Sequence, residues 1–231
     1  MKPGDGGHQP IWTRSERGSR GPTPGYSRDE IVAAAIALAD AEGLTAVSMR
    51  AVAAALGTGA GSLYRYLSSR DDLLDLMTDR AAAELRPYPD AGRPYPDAGG
   101  DWLDAMLLLG RRQLALYRRH RWLLDVSHRS SGFGPNALAW FDNCLRVLEP
   151  VHCGSVPKFE AIAMMTGVAN LFARSEASAP LTLAGVDYTA YPHLTAALNQ
   201  PPAPAPQRDL FERTLRSLLV GLLVEEPSEE P

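Results

Sequence analysis

Lysine is almost absent from this sequence: Lys2 and Lys158 are the only two among 231 residues, and arginine supplies the remaining basic side chains. Together with abundant alanine, this bias is typical of a GC-rich coding genome and indicates a bacterial source. Positive charge is also scarce overall, since 23 Lys and Arg face 27 Asp and Glu, which gives a net charge of -4. Nonspecific coating of nucleic acid or of an anionic membrane needs excess positive charge, so the composition argues against both, although it allows a small basic patch.

Cysteines and long apolar runs are scarce as well. Cys144 and Cys153 are the only cysteines, and neither has a partner at a zinc-finger spacing, so we predict neither a disulfide framework nor a zinc site. No apolar run reaches the roughly 18 to 20 residues that span a bilayer, and the N-terminus lacks the apolar core of a signal peptide. We therefore expect a cytoplasmic protein with no membrane partner.

The motifs of common enzymes are missing too. The five histidines form no H-E-x-x-H pair, and the chain contains neither a G-x-S-x-G elbow nor a G-x-x-x-x-G-K-[ST] phosphate loop. His128 has no second ligand at a regular spacing, so we do not predict it as a metal ligand. We expect no catalytic residues, no metal and no cofactor.

Apolar residues recur at helical spacing in most segments, and no segment alternates convincingly with the period of two that is typical of a strand. Ser27 with Glu30 predicts a capping box at the start of the first helix, and Ser48 and Ser69 are predicted N-caps of later helices. The expected fold is all-α, with an N-terminal three-helix helix-turn-helix domain followed by a larger helical-bundle domain for ligand binding and dimerisation.

The segment from Ser48 to Leu67 has the layout of a helix-turn-helix. Its inward positions are apolar, Ala53 is small enough for a close helix crossing, and Gly57 lies where the chain must turn, with a positive φ expected there. In such motifs the second helix enters the major groove of DNA. A plain helical hairpin would show the same pattern, so the pattern alone leaves both interpretations open.

The residues from Leu56 to Leu74, LGTGAGSLYRYLSSRDDLL, resemble the N-terminal domain of the tetracycline-repressor (TetR) family. The resemblance covers about residues 27–85, and the segment FERTLRSLLVGL at 211–222 is similar to the terminal dimerisation helix of that family. Tyr66 departs from the family pattern, which commonly has a histidine there, and so does Gly59, where a hydroxyl or acidic side chain is usual. The resemblance implies a regulator that binds DNA as a dimer.

Side-chain chemistry then suggests how the motif would contact DNA. Arg65 can bond a guanine edge or a phosphate, small residues at the start of its helix allow a close approach to the bases, and tyrosine hydroxyls can donate to phosphates. Residues 1–85 carry nine Lys and Arg against eleven Asp and Glu, so binding must depend on individual contacts. Tyr64 could instead serve in packing, and Arg50 could be a solvated charge. The predicted DNA-binding residues are Ser48, Arg50, Ala60, Gly61, Ser62, Tyr64, Arg65, Tyr66 and Arg70.

The resemblance also implies an effector cavity in the second domain. Apolar and aromatic side chains would form its walls, and amides on otherwise apolar helices would need a partner that a ligand could supply. Ordinary core packing is the alternative for each of these residues. The predicted ligand-binding residues are Met106, Trp122, Phe133, Asn136, Trp140, Met165 and Asn170.

Composition divides the chain into five parts. We predict a disordered arm over residues 1–25, the helix-turn-helix domain over 26–85, a proline-rich linker over 86–100, the effector-binding and dimerisation domain over 101–224, and a tail over 225–231. The linker contains the heptapeptide RPYPDAG twice in succession, at 86–92 and 93–99, and its four prolines exclude a helix. A slipped duplication in a tolerant loop explains the repeat better than a duplicated binding motif.

These observations predict a sequence-specific transcriptional regulator. We expect a homodimeric repressor that binds a palindromic double-stranded DNA operator and is released by a small apolar or aromatic effector. The alternatives are a helical-bundle enzyme and a protein-interaction module without DNA binding. The interaction module would use the Leu-rich last helix but leave Arg65 and the turn glycines unexplained.

Overall fold

The computed structural model describes residues 11–13, 25–85, 87, 102–126, 133–177, 185–199 and 209–224. These residues form ten α-helices and no strand, which confirms the predicted all-α class. The helices are α1 (Arg28–Glu42), α2 (Met49–Ala55), α3 (Ala60–Leu63), α4 (Arg70–Ala82), α5 (Trp102–Arg119), α6 (Leu123–Val126), α7 (Pro135–Val147), α8 (Ser155–Ala177), α9 (Pro192–Leu198) and α10 (Leu210–Leu223).

The first helices begin where their capping serines predict. Ser27 accepts from the backbone N–H of Glu30 while the Glu30 carboxylate accepts from the backbone N–H of Ser27, so the predicted capping box is present. Ser48 accepts from Ala51 N at 3.1 Å at the start of α2, and Ser69 accepts from Asp72 N at 3.0 Å at the start of α4. Each serine satisfies one backbone donor that the helix itself leaves unpaired.

Two apolar cores lie along the chain. The first joins α1 to α4 and includes fully buried Ile31, Val52, Leu63 and Met77. Because these side chains come from all four helices, they fix α2 and α3 against α1 and α4. The first core thus sets the orientation of the short α3.

The second core is built mainly from α5, α8 and α10, and α7 packs beside them. Its centre contains Met165 and Leu215. Gly110 lets α5 approach α10 closely, since a Cβ at this position would lie 2.5 Å from Leu215 Cδ2.

Polar contacts tie the two cores together. His120, which follows α5, places Nδ1 2.8 Å from Asp40 Oδ1 on α1 and Nε2 3.0 Å from Glu84 Oε1 just beyond α4. Asp79 on α4 accepts from the backbone N–H groups of Asn136 and Ala137 at 2.9 and 3.1 Å, and therefore caps the start of α7. The end of α4 is thus attached to both cores.

The structure differs from the expectations in several places. Within the predicted arm, Ile11–Thr13 form a 3₁₀ turn, and the Ile11 side chain is only 2% exposed and packs in the first core. The short α6 is a single helical turn. Most of the predicted arm, linker and tail, together with His128, lie outside the described residues, and the predicted domain boundaries remain predictions.

Candidate DNA-binding surface and effector cavity

A tight turn joins α2 to α3, as a helix-turn-helix requires. Gly57 has φ +68°, the left-handed conformation that the sequence predicts for it, and glycine adopts it without steric cost. Thr58 N–H donates to the carbonyl of Ala53 at 2.9 Å, which closes the end of α2. The hydroxyls of Thr58 and Ser62 lie 2.8 Å apart and connect the turn to α3.

Several predicted DNA-binding residues are accessible on the helix-turn-helix. Tyr64, just after α3, is 55% exposed, and Arg65 beside it is exposed as well. Arg50 and Gly61 are also exposed, and Ala60 and Ser62 are half-buried. Within the described part of the chain, the side chains of Arg50 and Arg65 make no hydrogen bond and no ion pair. Their guanidinium groups are therefore available to a phosphate or a base.

Three of the predicted residues also serve the fold. Tyr66 is only 9% exposed and packs in the first core, which argues against the predicted phosphate contact. Arg70 donates from Nε to Val47 O at 2.8 Å and from Nη2 to Leu44 O at 3.1 Å, so its guanidinium holds the segment before α2. Ser48 is exposed, but its hydroxyl caps α2.

A cavity of about 390 Å³ opens between α4, α5, α7 and α8. No charged side chain lines it, and its wall is mostly aliphatic and aromatic. This volume lies within the range of about 300–1,000 Å³ that is typical of sites for small organic ligands. The lining residues are Thr78, Ala82, Leu85, Gln113, Leu116, Tyr117, Leu123, Phe133, Ala137, Trp140, Phe141, Ile162, Ala163 and Thr166.

Of the seven predicted ligand-binding residues, Phe133 and Trp140 line this cavity and the others do not. Met106 and Met165 are core residues with no exposed surface. Trp122 is buried at the junction of the cores, where its Nε1 donates to Asp40 at 2.8 Å.

The two predicted amides find their partners within the protein. Asn136 Nδ2 donates to Asp79 Oδ2 at 2.8 Å, and Asn170 Oδ1 accepts from Arg174 Nε at 3.0 Å. The polar lining comes instead from residues that the sequence interpretation missed, chiefly Gln113 and Tyr117 on α5. Because residues four positions apart lie on the same face of a helix, the sequence already indicated that these two polar side chains lie together on an otherwise apolar face of α5.

Hydrogen bonds connect the polar groups of the wall. Gln113 Nε2 lies 3.1 Å from Thr166 Oγ1 and, at a long 3.5 Å, from the Tyr117 hydroxyl. Burial raises the pKa of the Tyr117 phenol, and the hydrogen bond from Gln113 offsets part of that rise. Trp140 Nε1 is buried and has no hydrogen-bond partner among the described residues.

The described helices fall short of the length and apolarity that crossing a membrane requires. The described residues also contain no cluster of His, Cys, Asp and Glu that could hold a metal ion. An exposed helix-turn-helix together with an apolar cavity in a second helical domain is typical of DNA-binding proteins that respond to a small ligand.

Family models assign the chain more narrowly. Residues 31–77 match the model for bacterial regulatory proteins of the tetR family, and residues 94–225 match the tetracyclin repressor-like C-terminal domain. The chain belongs to the TetR family. This confirms the predicted family, whose model describes bacterial regulatory proteins.

Two proteins with similar sequences are described as HTH-type transcriptional regulators. The chain is 41% identical over 166 residues to the HTH-type transcriptional repressor DrrR1 of Streptomyces coeruleorubidus, which covers 72% of this chain and 59% of that protein. It is 33% identical over 129 residues to an HTH-type transcriptional regulator of Saccharopolyspora erythraea, covering 56% of this chain and 51% of the relative. The chain thus matches only between half and three fifths of the length of these relatives.

Solved structures share the fold over nearly their whole length. Apo ActR from Streptomyces coelicolor is 26% identical, with a TM-score of 0.70 over 88% of this chain and 97% of ActR. ActR in complex with actinorhodin is 27% identical, with a TM-score of 0.67 over 86% of this chain and 97% of ActR. BioQ with its double-stranded DNA operator, at 17% identity and a TM-score of 0.60, covers 87% of this chain and 99% of BioQ and shares the fold alone.

Proposed function

We propose that the chain is a homodimeric, cytoplasmic transcriptional repressor. It binds a palindromic double-stranded DNA operator through the surface around α2 and α3, and it leaves the operator when a small apolar or aromatic effector enters the cavity. The complex of ActR with actinorhodin and the complex of BioQ with its double-stranded DNA operator support the two halves of this proposal.

The DNA contact follows from the accessible cations and hydroxyls. Arg65 and Tyr64 extend from the turn after α3, and Arg50 extends from α2 on the same motif. Gly61, near the start of α3, has open space where a Cβ would lie, so the backbone of the recognition helix can approach base edges closely.

The position of α4 carries the proposal. This helix begins directly after the helix-turn-helix, and Thr78, Ala82 and Leu85 at its far end form one wall of the cavity. An effector that fills the cavity therefore presses on the same helix that positions α3. Asp79 bonds the start of α7, and Glu84 bonds His120, so this end of α4 is attached to the second domain. A displacement of the cavity wall would therefore move α4 and, with it, the DNA-binding surface.

A second copy of the chain would cover the outer faces of α8 and α10. These faces are apolar and exposed at Met164, Leu171 and Val220. Gly167 and Gly221 lie on the same side with open space around them, which allows close contact between helices of two protomers. Two such helices from each protomer would form a four-helix interface.

The test is a gel shift with the DNA upstream of the chain's own gene. Compounds from a metabolite and antibiotic panel are first selected because they raise the melting temperature of the protein, and each is then added to the gel shift. We expect a specific shift that at least one stabilising compound reverses. Failure of the protein to bind this DNA better than random DNA, or stabilising compounds that all leave binding unchanged, would contradict the proposal.

A further inference from the structure

We infer that the cavity takes an uncharged, flat aromatic ligand that carries a ketone or phenol oxygen, and that Tyr117 and Gln113 recognise this oxygen. The inference rests on the proposed function, because it names the chemical class of the effector. It depends on three features of the wall: its lack of charge, its aromatic surfaces, and the hydrogen-bonding groups that the protein leaves unused.

The lack of charge limits the ligand first. A carboxylate or ammonium group moved from water into this cavity would meet no opposite charge, and burying an unpaired charge is strongly unfavourable. The aromatic residues limit its shape. Three of the lining residues are aromatic, Phe133, Phe141 and Trp140, and the ring centroids of the two phenylalanines lie 6.2 Å apart; such a wall favours a flat ring system that can pack against aromatic rings.

Most polar groups of the wall are already used. Thr78 donates its hydroxyl proton to Leu74 O at 2.8 Å, and Thr166 donates to Ile162 O at 3.0 Å, both within their own helices. Neither threonine hydroxyl therefore has a proton to offer to a ligand. The Nε1 atom of Trp140 is itself buried, so it is not presented to the cavity either.

Tyr117 and Gln113 differ from these residues. The Tyr117 oxygen accepts the long hydrogen bond from Gln113, but its own proton has no acceptor within the described chain. Because burial raises the pKa of this phenol, it stays protonated at neutral and mildly alkaline pH and remains a donor.

Gln113 supplies the complementary acceptor. Its Oε1 lies 3.4 Å from Thr166 Oγ1, whose proton is already donated to Ile162 O at the shorter distance of 3.0 Å. One edge of an apolar cavity thus offers a donor and an acceptor side by side. An aromatic ketone uses the donor, and a phenol uses both.

The experiment compares 9-fluorenone with fluorene, two flat tricyclic compounds with the same carbon skeleton that differ by one ketone oxygen. Binding of each to the full-length chain is measured by calorimetry and by quenching of tryptophan fluorescence. We expect the wild type to bind fluorenone about threefold to tenfold more tightly than fluorene, the range of one neutral hydrogen bond. Tyr117→Phe should remove this preference, because it weakens the binding of fluorenone but leaves the affinity for fluorene within about twofold of the wild-type value.

Tyr191→Phe removes the hydroxyl of an exposed tyrosine outside the cavity and serves as the matched control, with the fluorenone preference retained. Equal binding of both compounds, or a preference that survives Tyr117→Phe, overturns the inference and leaves the effector cavity of the proposed function standing. Binding of neither compound overturns the inference as well, and it also counts against the cavity as an effector site. The two failures are therefore distinguishable.

Discussion

At the residue scale, arginines close together in the helix-turn-helix have different environments. The Arg65 side chain is exposed and makes no hydrogen bond or ion pair among the described residues, whereas the Arg70 guanidinium donates to the carbonyls of Leu44 and Val47. A guanidinium without a partner in the protein can bind DNA without breaking a hydrogen bond that stabilises the fold. The predicted phosphate contact of Arg70 remains a prediction, and it would have to coexist with these two bonds.

Arg65→Ala should weaken operator binding by roughly 1–3 kcal/mol if the guanidinium bonds a base edge. Gel shifts with single base-pair variants of the operator measure this, and specificity should relax at one position. Arg80→Ala, which removes an exposed charge from α4, is the control and should change affinity little. If Arg65→Ala lowers the affinity equally for all DNA sequences, Arg65 contacts a phosphate instead of a base. If it does not lower the affinity at all, Arg65 does not contact DNA.

The two cysteines should react at different rates. Cys144 is fully buried, and burial raises the pKa of its thiol to about 12, so almost no thiolate exists at neutral pH. Cys153 is half-buried. Titration of the native protein with Ellman's reagent should therefore detect one thiol per chain quickly and the second only after unfolding. Rapid modification of both thiols in the folded protein would contradict the packing around α7.

The structural role of a residue could be predicted from the sequence when its interaction partners are close to it in the chain. The capping serines and the positive φ of Gly57 follow from neighbours within four positions, and the structure agrees with them. The effector residues depend on which helices meet in space. Asn136 looked like an unpaired amide in the sequence because its partner, Asp79, lies on another helix, 57 residues earlier.

At the scale of the elements, the turn between α2 and α3 depends on its backbone conformation. Gly57→Ala forces a side chain into the left-handed region at φ +68° and should lower the free energy of unfolding by about 1–2 kcal/mol. Gly61→Ala is the matched variant, because Gly61 is helical and has room for a Cβ. It should be neutral or stabilising by up to about 1 kcal/mol, yet weaken operator binding by holding α3 away from the bases. Urea unfolding and gel shifts separate the two effects, and a Gly57→Ala protein as stable as the wild type would disprove the strain.

The start of α7 depends on another element rather than on its own N-cap, since Gly134 has no side chain to cap it. Asp79→Asn replaces one acceptor oxygen with a donor that faces Asn136 Nδ2, and it should cost about 1–3 kcal/mol in urea unfolding. Asp142→Asn changes the same group at an exposed position of α7 and should cost less than about 0.5 kcal/mol. Equal stabilities of the two variants would show that Asp79 does not hold α7.

At the scale of the whole molecule, the two cores meet at Leu85 and Tyr117, which pack against both. The cavity is lined by these same residues, so effector binding and the relative position of the two cores are physically linked. An effector that prefers the DNA-free arrangement must lower operator affinity by the same free energy, typically about 1–3 kcal/mol. The helical pattern predicted two domains, but the contacts at this junction involve residues up to 82 positions apart, such as Asp40 and Trp122. No local pattern contains such contacts.

The last prediction concerns the dimer. One helix-turn-helix contacts too few bases for specific affinity, so operator binding should require two copies whose recognition helices reach half-sites about one helical turn apart or a multiple of it. Leu171 on α8 is 64% exposed at the centre of the proposed interface. Leu171→Glu would bury an unpaired carboxylate in each protomer, at a cost of about 3–5 kcal/mol, and should yield monomers.

Sedimentation at micromolar concentration should show the wild type at twice the mass of the 25.0 kDa chain and Leu171→Glu at that single mass, with operator binding lost in parallel. Leu198→Glu makes the same change on α9, at a side chain that is 45% exposed and lies outside the proposed interface, and it should leave both the dimer and DNA binding intact. A wild-type monomer would exclude the dimer. A Leu171→Glu protein that still dimerises would place the interface elsewhere, because no contact centred on α8 could accommodate two facing carboxylates at so little cost.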